Sequence, residues 1–148
     1  MNDKDDHIPP APGLTWEAVL YGTPIAKKRP RFARRENFVS TYNDQQTEEG
    51  RLYLDLKQAW GEREPLSGPL AVELAFGMPI PTATSHKKRM AMIRGEIRHE
   101  KKPDIDNLAK FICDVGNGIL WRDDSQIDHM VLRRCYSELP FTRIVVVA

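Results

Sequence analysis

The stretch from Lys102 to Asp128 reads KPDIDNLAKFICDVGNGILWRDDSQID and has the clearest pattern in the chain. Its apolar residues recur at helical spacing: Ile105, Leu108, Ile112 and Val115. The pattern predicts a helix that begins at Asp106 or Asn107, reaches about Val115 and is broken by Gly116-Asn117-Gly118. A short apolar run and a polar, acidic turn follow, so that aspartates stand on both sides of the predicted helix.

Two aspartates stand at the start of this helix. If the chain is extended after Pro103, Asp104 and Asp106 point to the same side. Carboxylates so close together repel each other, and a magnesium or manganese ion relieves that repulsion by taking oxygen ligands. Asp104 and Asp106 are therefore candidate metal ligands.

The polar side of the predicted helix continues the pattern. Asp106, Lys110 and Asp114 recur every four residues and form one stripe opposite the apolar face. Lys110 then lies one turn from the carboxylates, where its charge can stabilise a phosphate group. Asp123 or Asp124 can complete the metal site, provided that the apolar run before them lies beside the start of the helix.

Each of these residues also has an ordinary structural role open to it. Asp106 can serve as an N-cap, aspartates are common in turns, and Lys110 or Asp114 alone is more often a solvated charge on a helix. The combination favours a site: three separated acidic positions, an intervening lysine and flanking basic segments.

The remainder of the chain alternates between strand and helix patterns. Period-two alternation from Leu70 to Met78 predicts a strand with one buried face. Further strands are predicted at residues 16–21, 38–42, 130–136 and 143–147, the second of them as one arm of a hairpin. One helix is capped at position 43 or 44 and ends at Gly61, and a short basic helix covers residues 85–93. These elements predict an α/β or α+β fold, a small mixed sheet packed with two or three helices.

Length and composition describe one globular domain. The chain has 148 residues, 41% of them hydrophobic, which suffices for a core without disulfide or metal support. No apolar run approaches the roughly 18 residues of a membrane span. The two cysteines, Cys113 and Cys135, fall in apolar patterns and are expected to be reduced core thiols. We therefore expect a cytoplasmic protein with a disordered acidic tail at residues 1–13, a single domain at 14–148, no membrane contact and no organic cofactor.

A formal net charge of +1 hides an uneven distribution. One basic segment covers residues 27–35 and another begins at residue 87. Their cations are candidates to hold DNA arms through the phosphates: Lys27, Lys28, Arg29, Arg31, Arg34, Arg35, Lys87, Lys88 and Arg89. A single charged run is usually a solvated face. Basic segments around a concentrated acidic site, however, are typical of an enzyme that grips a polyanion and holds divalent cations.

The sequence resembles the RusA family of Holliday-junction resolvases, endodeoxyribonucleases of phages and prophages. A series of residues at fixed spacing carries the resemblance: Asp104-Ile105-Asp106-Asn107-Leu108, Lys110, Asp114, Gly118-Ile119-Leu120 and Asp123-Asp124-Ser125-Gln126-Ile127. Near the N-terminus, TPIAKKRPRF at residues 23–32 stands where some members have an asparagine-rich loop.

The resemblance implies a small α/β homodimer that binds four-way DNA junctions and makes paired symmetric nicks near the crossover, in recombination and repair. The reaction would need Mg²⁺, or Mn²⁺ in its place, and would leave a 5′-phosphate and a 3′-hydroxyl. The three essential aspartates of the family correspond to Asp104, Asp106 and Asp124, and its functional lysine corresponds to Lys110. Asp123 and Asp114 match further acidic positions of the family.

Two other functions fit parts of the pattern. A structure-specific DNA-binding protein without cleavage activity would keep the basic segments and use the aspartates as caps and charge balance. A phosphatase-type D-x-D motif would directly follow an apolar strand, whereas here a polar, basic stretch precedes it and Leu108 stands where threonine is required. Loss of cutting with retained junction binding in Asp104→Asn would distinguish a nuclease from a pure binding protein.

Overall fold

The computed structural model describes residues 15–28, 31–35, 38–42 and 45–148. The strands are β1 (Thr15–Tyr21), β2 (Arg31–Arg35), β3 (Phe38–Tyr42), β4 (Leu70–Pro79), β5 (Ile127–Ser137) and β6 (Phe141–Val147). The helices are α1 (Gln46–Trp60), α2 (His86–Ile93) and α3 (Ile105–Gly116), and a single 3₁₀ turn covers Asp124–Gln126. The tail predicted at residues 1–13 lies outside the described residues.

A four-stranded mixed sheet forms the centre of the fold, in the order β1-β6-β4-β5. Strand β6 runs antiparallel to both β1 and β4, whereas β4 and β5 are parallel. A parallel pair needs a long crossover connection, and α2, α3 and the 3₁₀ turn all lie in the one that joins β4 to β5. The predicted α+β fold, with a mixed sheet packed with helices, is confirmed.

The hydrophobic core fixes α3 against the sheet. Four alternate residues of β4 are almost fully buried: Leu70, Val72, Leu74 and Phe76. Ile144 and Val146 of β6 join this cluster, and Leu108 and Ile112 cover it from α3. Each such side chain stabilises the fold by about 2 kcal/mol relative to an exposed one. Because its apolar face is held in this way, α3 turns its polar residues outward.

Strands β2 and β3 form a two-stranded antiparallel sheet of their own. Arg31 pairs with Tyr42 and Arg35 with Phe38, so the basic segment is the first arm of a hairpin. The predicted hairpin, with residues 38–42 as its second arm, is confirmed.

The helix boundaries differ from the predicted ones at two N-termini. Asp104 has the extended geometry of an N-cap, with φ −68° and ψ 145°, so α3 begins at Ile105 rather than at Asp106 or Asn107. The predicted caps of α1 at positions 43 and 44 lie outside the described residues, and Gln45 stands at the cap position. The predicted cap of α2 is confirmed, since the Ser85 side chain accepts a hydrogen bond from the backbone of the third residue after it.

The two cysteines differ in burial. Cys113 on α3 is buried, as predicted, but Cys135 on β5 is exposed. The prediction for Cys135 is wrong because β5 is an edge strand, and its odd-numbered residues Arg133 and Cys135 face solvent there. In the described part of the chain, no helix is both long and apolar enough to cross a membrane.

Candidate active site

Asp104 and Asp106 lie together at the N-terminal end of α3. Asp104 is the N-cap residue and Asp106 belongs to the first turn. The expectation that both lie in extended chain is wrong for Asp106, because the helix has already begun at Ile105. The Asp104 side chain makes no capping hydrogen bond, and neither carboxylate pairs with another described residue. Both side chains are exposed, so their oxygens are available to an external cation, at a helix end that favours negative charge.

Asp106, Lys110 and Asp114 form a polar stripe along α3, as predicted, but their ion pairing differs. Lys110 is exposed and has no ion-pair partner among the described residues. Asp114 is half-buried, and its Oδ2 lies 3.4 Å from Nζ of Lys27. The part of the stripe near Asp106 therefore faces solvent with its charges unpaired, whereas the far part is engaged within the protein.

The chain beyond α3 folds back against the end of that helix. Trp121 is fully buried, and its Nε1 donates to Oδ1 of Asn117 at 2.8 Å. Gly116 leaves room for the indole ring, since a Cβ atom there would lie 3.0 Å from Cζ2 of Trp121. Gly118 has a φ of 81°, which glycine adopts without steric cost. These contacts bring the acidic turn at residues 123–124 to the side of α3.

The two aspartates of this turn have different surroundings. The Asp123 carboxylate accepts hydrogen bonds from the amide of Ser125 at 3.3 Å and from its hydroxyl. The Ser125 hydroxyl, with help from the amide, holds the pKa of Asp123 below its usual value. Gln126 completes a capping box by accepting from the Asp123 amide at 2.9 Å. Asp123 is therefore occupied in shaping the turn.

Asp124 is half-buried, its side chain interacts with the carboxylate of the neighbouring Asp123, and no cationic side chain among the described residues pairs with it. Asp124 acts electrostatically on the thiol of Cys113 in α3. Burial, and then the charges of Asp124 and Asp114, raise the pKa of that thiol to about 11. Asp124 therefore lies near the third turn of α3. Of the two aspartates in the turn, Asp124 is the one that accepts no hydrogen bond from Ser125.

A divalent cation suits these residues by donor type. Asp104, Asp106 and Asp124 offer hard carboxylate oxygens, the ligands that Mg²⁺ and Mn²⁺ take in proteins. None of these carboxylates pairs with a cationic side chain in the described part of the protein. Within the same part of the chain, no three histidine, cysteine, aspartate or glutamate side chains stand close enough together to hold an ion, so the structure places Asp104 and Asp106 at the start of α3 but does not bring Asp124 into one cluster with them.

The predicted DNA-contacting cations fall into four groups. Lys87 and Lys88 are exposed on the first turn of α2. Three further cations form ion pairs within the protein: Lys27 with Glu49 and Asp114, Lys28 with Glu48, and Arg89 with Glu138 at 3.9 Å. Arg31, Arg34 and Arg35 lie on β2, and Arg29 lies outside the described residues.

Gln45, for which the sequence predicts no role, binds the backbone of the segment that precedes the basic hairpin. It is fully buried; its side-chain oxygen accepts from the amide of Lys28 at 2.9 Å, and its side-chain nitrogen donates to the carbonyl of Ala26 at 2.6 Å. The backbone amide of Lys27 in turn donates to the carbonyl of Asn107 on α3 at 3.0 Å. The segment that precedes the hairpin is thus anchored beside the helix that carries Asp104 and Asp106. The sequence does not predict this role of Gln45, because a glutamine between a basic segment and a helix belongs to no motif.

A cavity of about 330 Å³ lies away from these aspartates. Its lining comes from the end of β1, from α1 and from the apolar side of α3, including Tyr21, Arg51 and Phe111. None of Asp104, Asp106, Lys110 and Asp124 borders it. The candidate active site is instead an exposed surface at the start of α3.

Comparison with known proteins identifies the family of this chain. The family model described as endodeoxyribonuclease RusA matches residues 21–147, which include both the acidic residues and the basic hairpin. The chain belongs to the RusA family. Membership indicates an endodeoxyribonuclease, a hydrolase of phosphodiester bonds, of the kind that resolves Holliday junctions. An uncharacterized protein of Bacillus subtilis (strain 168), YqaN, is 28% identical over 131 residues, which cover 86% of this chain and 92% of its own length.

Proposed function

We propose that this RusA-family chain is a divalent-metal-dependent nuclease that resolves four-way DNA junctions by paired symmetric nicks. The observation that supports this most is a division among the acidic residues. By resemblance, the family's three essential aspartates correspond to Asp104, Asp106 and Asp124, and none of these pairs with a cationic side chain among the described residues. Asp114 and Asp123, the other two acidic positions, are engaged by Lys27 and Ser125.

In this proposal Asp104, Asp106 and Asp124 hold Mg²⁺, or Mn²⁺ in its place. Such an ion, when bound, polarises the scissile phosphate and lowers the pKa of an attacking water. Lys110, one turn along α3, contacts a phosphate oxygen and stabilises the negative charge that grows there during hydrolysis. The products are a 5′-phosphate and a 3′-hydroxyl.

The DNA arms are held by positive charge on either side of the aspartates. Lys87 and Lys88 on α2 are exposed, and the hairpin carrying Arg31, Arg34 and Arg35 is anchored to α3 through Lys27. Phosphate contacts of this kind give an affinity that falls with salt, with a log–log slope near about −0.9 for each phosphate neutralised.

Two copies of the chain are needed for two symmetric cuts, and a twofold dimer suits a junction with approximate twofold symmetry. We therefore propose a homodimer that serves recombination and repair of DNA, in a phage or prophage setting. We also take residues 14–148 as one domain, because β1, α1, α3 and the sheet share a single core.

The test compares a labelled four-way junction with a linear duplex of the same sequence, in Mg²⁺ and in EDTA. We expect nicks in the junction alone, and only with the metal. Asp128→Asn is the matched control for Asp104→Asn, since Asp128 is an exposed aspartate on β5. Junction binding without cutting in Mg²⁺ or Mn²⁺ would favour a structure-specific binding protein instead.

A further inference from the structure

We propose that Arg134 is a positioning residue that sets the Asp104 carboxylate by holding the backbone directly before it. The inference rests on the proposed function of Asp104 as a metal ligand. Arg134 lies on β5, thirty-one residues away in sequence, and its Nη1 donates a hydrogen bond to the carbonyl of Pro103. Sequence reasoning assigned no role to Arg134, because an arginine on a strand carries no motif.

The contact fixes a particular peptide plane. The Pro103 carbonyl belongs to the peptide bond whose nitrogen is that of Asp104. Because a peptide group is planar, holding its oxygen also holds the direction of the next N–Cα bond. The Asp104 side chain has no hydrogen bond or ion pair with the described residues. The position of the Asp104 carboxylate therefore depends on the backbone, and Arg134 is the side chain that forms a hydrogen bond with this backbone.

A second contact shows that the whole approach to α3 lies against β5. The ring of His99 packs on the ring of Tyr136, with centroids 4.9 Å apart and planes at 57°. Tyr136 is buried and lies two residues after Arg134, on the same face of the strand. Arg134 and Tyr136 thus hold two points of one loop, at residues 99 and 103.

The guanidinium of Arg134 is used for position rather than for charge balance. It is half-buried, yet no carboxylate among the described residues pairs with it. The acceptor of its hydrogen bond is a backbone carbonyl. A hydrogen bond from a charged donor is worth more than a neutral one, which suits a contact that must fix a loop precisely enough for metal binding.

The experiment measures Mn²⁺ binding directly, from the electron paramagnetic resonance signal of the free ion during titration of the whole protein. Arg134→Gln should weaken Mn²⁺ binding about tenfold, as loss of a group that orients a metal ligand does. Arg134→Lys, which keeps a charged donor, should weaken it by less, about threefold. Arg133→Gln, an exposed neighbour on the opposite face, should bind Mn²⁺ as the wild type does.

A purely structural role for Arg134 predicts a different result. Arg134→Gln would then have a lower melting temperature but wild-type Mn²⁺ affinity, and this outcome overturns the inference. If Arg134→Gln does not fold, Arg134→Lys decides, because wild-type affinity in that variant overturns the inference equally.

The same titration separates this inference from the proposed function. Wild-type protein that binds Mn²⁺ but cuts no junction overturns the proposed function, while weaker binding in Arg134→Gln still supports the inference. Wild-type protein that cuts junctions, with unchanged Mn²⁺ affinity in Arg134→Gln, overturns the inference alone. Absence of Mn²⁺ binding by the wild type overturns both.

Discussion

The ammonium nitrogen of Lys27 lies 3.4 Å from Oδ2 of Asp114, which joins the segment before the basic hairpin to the far end of the polar stripe on α3. The backbone amide of Lys27 also donates to the carbonyl of Asn107 near the start of the same helix, at 3.0 Å. Two contacts from one residue therefore align the segment proposed to hold DNA with the helix proposed to hold the metal. Lys27 acts within the protein, although its place in a basic segment predicts a DNA contact.

The first prediction concerns the stability that Lys27 supplies. Lys27→Met removes the ion pairs with Glu49 and Asp114 and leaves two half-buried carboxylates, so we expect a loss of about 1 kcal/mol in the free energy of unfolding. Urea denaturation measures this loss. Lys28→Met is the matched control, because the Lys28 side chain is more exposed and, among the described residues, pairs only with Glu48, at 3.4 Å. Equal losses in the two variants would contradict the structural role of Lys27.

The second prediction is the pH dependence of that stability. Burial lowers the pKa of Lys27, but Glu49 and Asp114 together outweigh it, and the pKa is raised above 10.5. A lysine whose folded-state pKa is raised contributes stability that is complete below its unfolded-state pKa and is lost as the pH rises through the folded-state value. The difference in unfolding free energy between wild type and Lys27→Met should therefore be constant from neutral pH to about pH 9 and shrink as the pH rises beyond 10.5. A difference that persists there would contradict the ion-pair assignment.

The third prediction separates the two aspartates of the acidic turn. Asp124→Asn should lower the rate of junction cleavage more than about 100-fold with little change in melting temperature, because it removes a proposed metal ligand. Asp123→Ala should retain cleavage but melt a few degrees lower, since the bonds from Ser125 to the carboxylate are removed. Cleavage assays and thermal melts of both variants check this. The reverse pattern would make Asp123 the third ligand.

The fourth prediction concerns DNA affinity. Lys87 and Lys88 are exposed on α2, and the double variant Lys87→Ala, Lys88→Ala should bind junction DNA more weakly. Its log–log salt slope should be shallower by up to about 1.8, since each phosphate that is no longer neutralised reduces the slope by about 0.9. Binding isotherms in several salt concentrations measure the slope. Lys57→Ala, on the exposed side of α1, is the control and should leave the slope unchanged, whereas an unchanged slope in the double variant would remove α2 from the DNA interface.

Much of the fold follows from local pattern. The alternation from Leu70 to Met78 predicts β4 because a strand whose sheet packs one face on the core buries every second side chain, and Ser85 predicts the start of α2 because a serine oxygen can accept from the first free amides. The start of α3 is less predictable: Asp104, Asp106 and Asn107 are all good cap residues, and only the path of the chain before Asp104 selects among them.

The candidate site is predictable as a set of residues but not as an arrangement. Local spacing predicts that Asp106, Lys110 and Asp114 share one side of a helix, as they do. Which aspartate of the acidic turn is available depends on Ser125, and whether Lys27 faces DNA or Asp114 depends on how a distant helix packs. Gln45 and Arg134 act through long-range backbone contacts, which leave no periodicity or motif in the sequence. Cys135 shows the same limit, since its apolar neighbourhood predicts burial and only its edge strand exposes it.

The central claim is that the start of α3 carries a metal-dependent site that cuts junctions, and Asp104→Asn tests it most directly. The variant removes one proposed ligand charge from a side chain that has no capping hydrogen bond to lose. An end-labelled four-way junction incubated with Mg²⁺ should show paired symmetric nicks with the wild type and none with Asp104→Asn, while the variant still binds the junction in a gel-shift assay. Asp104→Asn that cuts at the wild-type rate would contradict the assignment of the site.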